Sequence, residues 1–160
     1  MMLSLNTLAA VLLFALAAGP AHAQSRKPTA KEVALIRDCA TRNKDDLDAV
    51  EQKCLFKLVA DKCSDNGSAA DGVLVDCYDI EASIWDALLN ENYKSLLESL
   101  DSDQTEKARA MQRAWAAYRD TTCGFYWDKI HGTMANMMIA ACKARETARR
   151  AVLLAFFTGL

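Results

Sequence analysis

The chain has 160 residues, 52% of them hydrophobic, and a formal net charge of −2. A chain of this length folds as one domain that buries roughly two thirds of its unfolded surface, so its core needs no metal. With only His22 and His131 as histidines, His-based metal sites and Cys-His or Ser-His-Asp catalysis are not indicated.

Leu8 to Ala18 is an unbroken apolar run closed by Gly19-Pro20 and followed by Ala21-His22-Ala23. An apolar run, a helix breaker and a small-x-small triplet read as a secretory signal peptide over residues 1–23, cleaved near Ala23-Gln24. The run is shorter than the roughly 20 residues a bilayer span requires. The n-region, Met1 to Thr7, carries no Lys or Arg, so an uncleaved anchor is the alternative. No cysteine stands at the cleavage point to take a lipid. The mature chain, residues 24–160, is expected in the periplasm or secreted, with no later membrane span.

After the signal, apolar residues recur three and four apart, and Pro28 is the sole proline. The pattern predicts an all-α fold, a small bundle of about five helices in antiparallel hairpins. Thr29 to Glu32 is a capping box after Pro28, which starts a first helix running to about Lys44. Asp45-Asp46 caps a second over about Leu47 to Lys62. Ser64 to Gly72 is dense in turn formers and reads as a loop. It contains Asn66-Gly67-Ser68, a glycosylation sequon that matters only in a eukaryotic secretory host. A third helix covers about Val73 to Leu100, and Asp101-Ser102-Asp103 breaks the chain and caps a fourth, to Cys123 or beyond. A turn is expected around His131 to Thr133, and a fifth helix over about Met134 to Phe157. The apolar end, Ala151 to Leu160, reads as a helix end docked on the core, with a partner-binding tail as the alternative.

Cys39, Cys54, Cys63, Cys77, Cys123 and Cys142 are an even set in a chain read as exported, which suggests three disulfides. None is spaced C-x-x-C. Spacing alone leaves 15 pairings open. Cys54 and Cys63 on one helix stand about 13 Å apart along its axis, too far for a bond. The pairs Cys39–Cys54, Cys63–Cys77 and Cys123–Cys142 each have their midpoint at a predicted turn, so each faces across a hairpin. This connectivity is the expectation.

Charge is segregated. Asp65 to Glu106 holds eleven acidic residues against Lys94, and Lys107 to Arg150 holds nine basic residues against Asp120, Asp128 and Glu146. Two readings follow: acidic and basic helices packed with complementary rims, or an acidic surface that steers a cationic partner. Nucleic acid is not expected, since the basic excess is modest and the compartment is wrong.

Trp85, Leu89, Tyr93, Leu96 and Leu100 share a stripe on the third helix, with Asp86 and Asn90 at its edge. On the fourth, Gln112 and Arg119 flank Ala108, Met111, Trp115 and Tyr118. An Asp86–Arg119 salt bridge is expected between facing helices, joined by Asn90, Tyr93, Gln112 and Trp115 in a polar network. That network either fixes helix register or contacts a ligand. Arg113 and Asp120 project to the opposite face and are candidates for partner contact. Acid pairs such as Asp76/Asp79 are ordinary neighbours on a solvated helix, and no nucleophile has a base beside it, so no enzyme is indicated.

The run Gln112-Arg113-Ala114-Trp115, with Tyr118-Arg119-Asp120 and Cys123, resembles the signature of the LprI-like lysozyme-inhibitor family. Cys77, Glu81, Trp85-Asp86, Leu89-Asn90 and Tyr93 match its other block, and Gly132, Cys142, Thr147, Arg150 and Leu153 its C-terminal pattern. Cys39, Cys54 and Cys63 are similar to a longer six-cysteine subgroup with an added N-terminal helical pair. The resemblance implies a non-catalytic bacterial envelope protein without cofactor, whose partner is lysozyme or a similar cationic wall-cleaving enzyme. It transfers no inhibitory residue. The alternative is a structural or stress-related envelope protein that binds another protein or a wall component.

Overall fold

The computed structural model describes residues 26–65 and 69–159. The signal segment and the sequon lie outside the described residues. Among the described residues six helices follow in chain order: α1 Ala30–Arg42, α2 Leu47–Lys53, α3 Ala60–Cys63, α4 Asp71–Ser99, α5 Ser102–Ile130 and α6 Gly132–Thr158. No strand occurs among the described residues, and none of these helices is long and apolar enough to cross a membrane.

Local chemistry sets most boundaries. At the start of α1, the Thr29 hydroxyl accepts from the Glu32 amide at 3.2 Å while the Thr29 amide donates to the Glu32 carboxylate at 2.7 Å. These satisfy N-terminal donors that have no partner within the helix. Asp46 caps α2 through the Ala49 amide at 2.9 Å. Asp101 and Gln104 form a second capping box at α5. Between α5 and α6 the chain reverses through His131 and Gly132, with φ of 58° and 72°. Glycine takes the left-handed region without steric cost, and His131 does so against it.

The second expected helix is two. It breaks across Cys54 to Val59, where Phe56 adopts φ 66°. A positive φ at an aromatic residue is strained and persists only when its surroundings fix it. Here the fixing group is the Glu81 carboxylate of α4, which accepts from the Phe56 amide at 2.7 Å and the Ala60 amide at 2.9 Å. Phe56 also packs edge-on against Tyr78, with ring centroids 5.0 Å apart.

Consecutive helices α4, α5 and α6 run in alternating directions, as expected of antiparallel hairpins, and this leaves the central pair, α4 and α6, parallel. The Thr133 hydroxyl donates to Asp71 at the start of both helices, at 2.9 Å. Some twenty residues on, the Asn92 side-chain amide donates to the Ala151 carbonyl at 2.8 Å. Helix α5 returns antiparallel along α6, bonded through Cys123–Cys142 and through Arg150 to Gln112. Helix α1 leans on α4 through the Arg37–Glu91 pair at 2.6 Å, and α2 on α6 through Arg149–Glu51.

The disulfides link Cys39–Cys54, Cys63–Cys77 and Cys123–Cys142, with Cα separations of 5.8, 5.6 and 5.5 Å. They fasten α1 to the end of α2, α3 to α4, and α5 to α6. The core lies between α1, α2, α4 and α6 and is built from Ile36, Val50, Ile80, Ile84, Trp85, Leu88 and Leu154. The apolar C-terminal stretch belongs to it: Ala151, Val152 and Leu154 are buried and Phe157 packs against the cluster, while Leu153 and Phe156 stay exposed.

Candidate functional site

The expected Asp86–Arg119 bridge does not form. Asp86 is exposed and accepts from the Asn90 amide, one turn on, at 3.0 Å. Arg119 turns to its neighbour Asp120, at 3.0 and 2.9 Å, and lies over the Trp115 ring at 5.0 Å. The reason is topological. Helix α6 is the neighbour of both α4 and α5, and α4 and α5 scarcely touch. They approach where they join, around Leu96, Leu100, Ala108 and Met111.

Gln112, Trp115 and Tyr93 take part in a different cluster. Its cation is Arg150 of α6, which is 5% exposed. The Arg150 Nε donates to the Gln112 carbonyl oxygen at 2.8 Å, and the guanidinium lies over Trp115 at 5.6 Å. Two guanidinium groups therefore share one indole, an arrangement its electron-rich face favours. Burial lowers the pKa of Arg150, and the nearby Tyr93 opposes this. The Arg150 Nη2 is buried without a hydrogen-bond partner among the described residues. Arg113 is exposed, and Asp120, also exposed, is occupied by Arg119.

Glu81 is the other buried charge, fully excluded from solvent. Besides the two backbone amides, the Trp85 indole donates to it at 3.2 Å. No cation pairs with it among the described residues. Burial pushes its pKa up; the hydrogen bonds from Phe56, Ala60 and Trp85 oppose that rise and Asp61 adds to it. Both buried ionisable residues carry a mark in the sequence. Glu81 interrupts the stripe of Cys77, Ile84, Trp85 and Leu88, and Arg150 interrupts that of Thr147, Ala151 and Leu154. A charge on an apolar stripe must find donors or acceptors inside the fold; both positions belong to the family-like blocks, and neither belongs to the expected polar network.

One stripe of α4 carries Asp76, Asp79 and Asp86, with Asp79 beside Lys143 of α6 in a shared cleft. Partial desolvation and the neighbouring Asp76 raise the pKa of Asp79, and Lys143 opposes this. Helix α6 packs along α4, yet no ion pair joins the two among the described residues. Arg37 and Lys94 take Glu91 and Glu98, while α6 spends Arg149 on Glu51 and its own Glu146. The basic helices thus leave Asp76, Asp79 and Asp86 without an ion-pair partner among the described residues. No group of three or more His, Cys, Asp or Glu residues suited to a metal gathers among the described residues.

The fold defines a class: a disulfide-stapled, all-helical protein with two ionisable residues, Glu81 and Arg150, locked in its core. The family model described as "Lysozyme inhibitor LprI" matches residues 63–154, more than half the chain, and the chain belongs to that family. The match begins at Cys63, so α1 and α2 stand before it. No curated protein and no solved structure matches the chain.

Proposed function

We propose that this is an exported, non-catalytic protein of the bacterial envelope that inhibits lysozyme or a similar cationic wall-cleaving enzyme. Membership of the inhibitor family supports the reading. The observation that carries it toward a cationic partner is the stripe of α4 on which Asp76, Asp79 and Asp86 lack ion-pair partners among the described residues. Uncompensated surface charge of one sign speeds encounter with a partner of the opposite sign and screens with salt. Three disulfides fit an oxidising compartment.

The test is lysozyme turnover on cell walls with the oxidised mature protein added. Loss of activity at micromolar protein is expected, weakening as salt rises. Reversing two charges, Asp79→Lys with Asp86→Lys, is expected to slow association about tenfold at low salt. Undiminished turnover would defeat the reading, and inhibition indifferent to salt and to both reversals would defeat the role of α4.

A further inference from the structure

A groove of about 770 Å³ opens between α2, α5 and α6, and no residue of α4 lines it. That volume falls within the roughly 300–1,000 Å³ of ordinary ligand sites. Its width is set covalently, since Cys142 of the Cys123–Cys142 bond stands in its wall. Preformed walls spare a ligand the cost of ordering them.

The lining combines three chemistries. Phe125, on α5, holds its ring 57% exposed beside Tyr126. At one side Arg149 is gripped by two carboxylates, Glu51 and Glu146, which keep accepting capacity because a carboxylate takes about four hydrogen bonds. Lys129 and Arg145 also line the groove and have no carboxylate partner among the described residues. Arg145 is steadied over the Phe56 ring, 5.8 Å from its centroid.

We propose that this groove binds a short acidic oligosaccharide, sugar rings carrying a carboxylate. The C–H face of a pyranose packs on an aromatic ring. Ring hydroxyls are both donors and acceptors and so suit a carboxylate–guanidinium cluster. The two free cations then take the sugar's carboxylate. A nucleic acid or polyacidic peptide would bring negative charge against Glu51 and Glu146. A wholly apolar ligand would strand the charges of the lining.

The experiment is titration of the oxidised full-length mature protein, followed by amide NMR, with three probes. They are the disaccharide of N-acetylglucosamine and N-acetylmuramic acid, the neutral di-N-acetylchitobiose, and triaspartate. The acidic disaccharide is expected to shift amides across Thr122 to Ile130 and Cys142 to Arg149, and to bind about tenfold more tightly than chitobiose. Triaspartate is expected to bind no better than chitobiose. Phe125→Ala is expected to weaken binding about fivefold. Lys129→Gln with Arg145→Gln is expected to reduce the acidic disaccharide to the chitobiose level. These side chains are exposed or half-exposed, and an unchanged helical spectrum checks each fold. Absence of binding by the acidic disaccharide at millimolar concentration overturns the proposal. So do triaspartate binding as tightly, or full affinity in all variants. No lysozyme enters the assay, so this site and the inhibitor reading can fail separately.

Discussion

Helices α4 and α5 are the same length, 29 residues each, yet α4 buries nine residues and α5 only Ala108 and Cys123. The first is the spine of the molecule, with α1, α3 and α6 against it. The second is attached chiefly along one side, to α6. Tyr118, Phe125, Trp127 and Ile130 of α5 remain exposed, and burying a side chain of that kind is worth roughly 1.5–3 kcal/mol. Helical periodicity is present in both helices. What separates them is the number of neighbours, which periodicity does not encode. The spine holds the fold, while the attached helix has surface left over for binding.

The sharpest way to test the spine is through its one buried carboxylate. Glu81→Ala removes the acceptor for two backbone amides and an indole, each left unsatisfied at about 1–3 kcal/mol. It also releases the strained turn at Phe56. A loss of about 4 kcal/mol in chemical denaturation is expected. Glu81→Gln should recover part of it, because the amide keeps one accepting oxygen. The pH dependence carries a definite sign. Burial raises the folded-state pKa of Glu81 above its ordinary 4.5. Its contribution to stability is therefore fully present below that ordinary value and is lost as pH rises through the folded value. Glu32 behaves oppositely. The hydrogen bond from Arg26, with those from Thr29, holds it at about 2, so its contribution is present above the ordinary value and is lost as pH falls toward about 2. Denaturation midpoints across that range should therefore fall less steeply toward acid in Glu32→Gln, and lose a decline with rising pH in Glu81→Gln. An unchanged profile in either would mean that the carboxylate titrates alike folded and unfolded.

The attached helix should fail differently. Replacing Cys123 and Cys142 together by Ala opens a link between residues 19 apart, expected to cost about 3 kcal/mol. The loss should be local. Amide exchange is expected to rise over the second half of α5 while Ile80 to Leu89 of α4 stays protected. Equal loosening of both helices would show that α5 is as much a part of the core as α4.

What could be read in the sequence follows the range of the forces involved. Capping at Thr29, Asp46 and Asp101 and the reversal near Gly132 depend on residues within one turn, and the structure places helix ends there. The break over Cys54 to Val59 depends on Glu81, more than twenty residues away, so local propensity shows an uninterrupted helix. The same distance problem governs the polar cluster. Gln112 and Trp115 do form one, but their cation is Arg150, whose approach depends on α6 lying between α4 and α5. A short connection such as Leu100-Asp101 suggests facing helices. It does not exclude a third helix that packs better against each. Glu81 and Arg150 were legible as charges on apolar stripes, and the partner of each needed the fold.

The smallest expected effect decides whether α4 and α5 communicate at all. In the structure Asp86 belongs to Asn90 and Arg119 to Asp120 and Trp115. Asp86→Ala should therefore change stability by no more than about 0.5 kcal/mol, as exposed surface changes do. Arg119→Ala should cost somewhat more, because it strips the cation from the Trp115 ring, a contact worth about 0.5–1 kcal/mol at an exposed site. In a double-mutant cycle the two losses should add to within about 0.3–0.5 kcal/mol. A coupling of 1 kcal/mol or more would require a bridge between the helices, since exposed pairs seldom exceed about that value. It would make α5 a second face of the core. Additivity leaves α5 free to meet a partner without disturbing the spine.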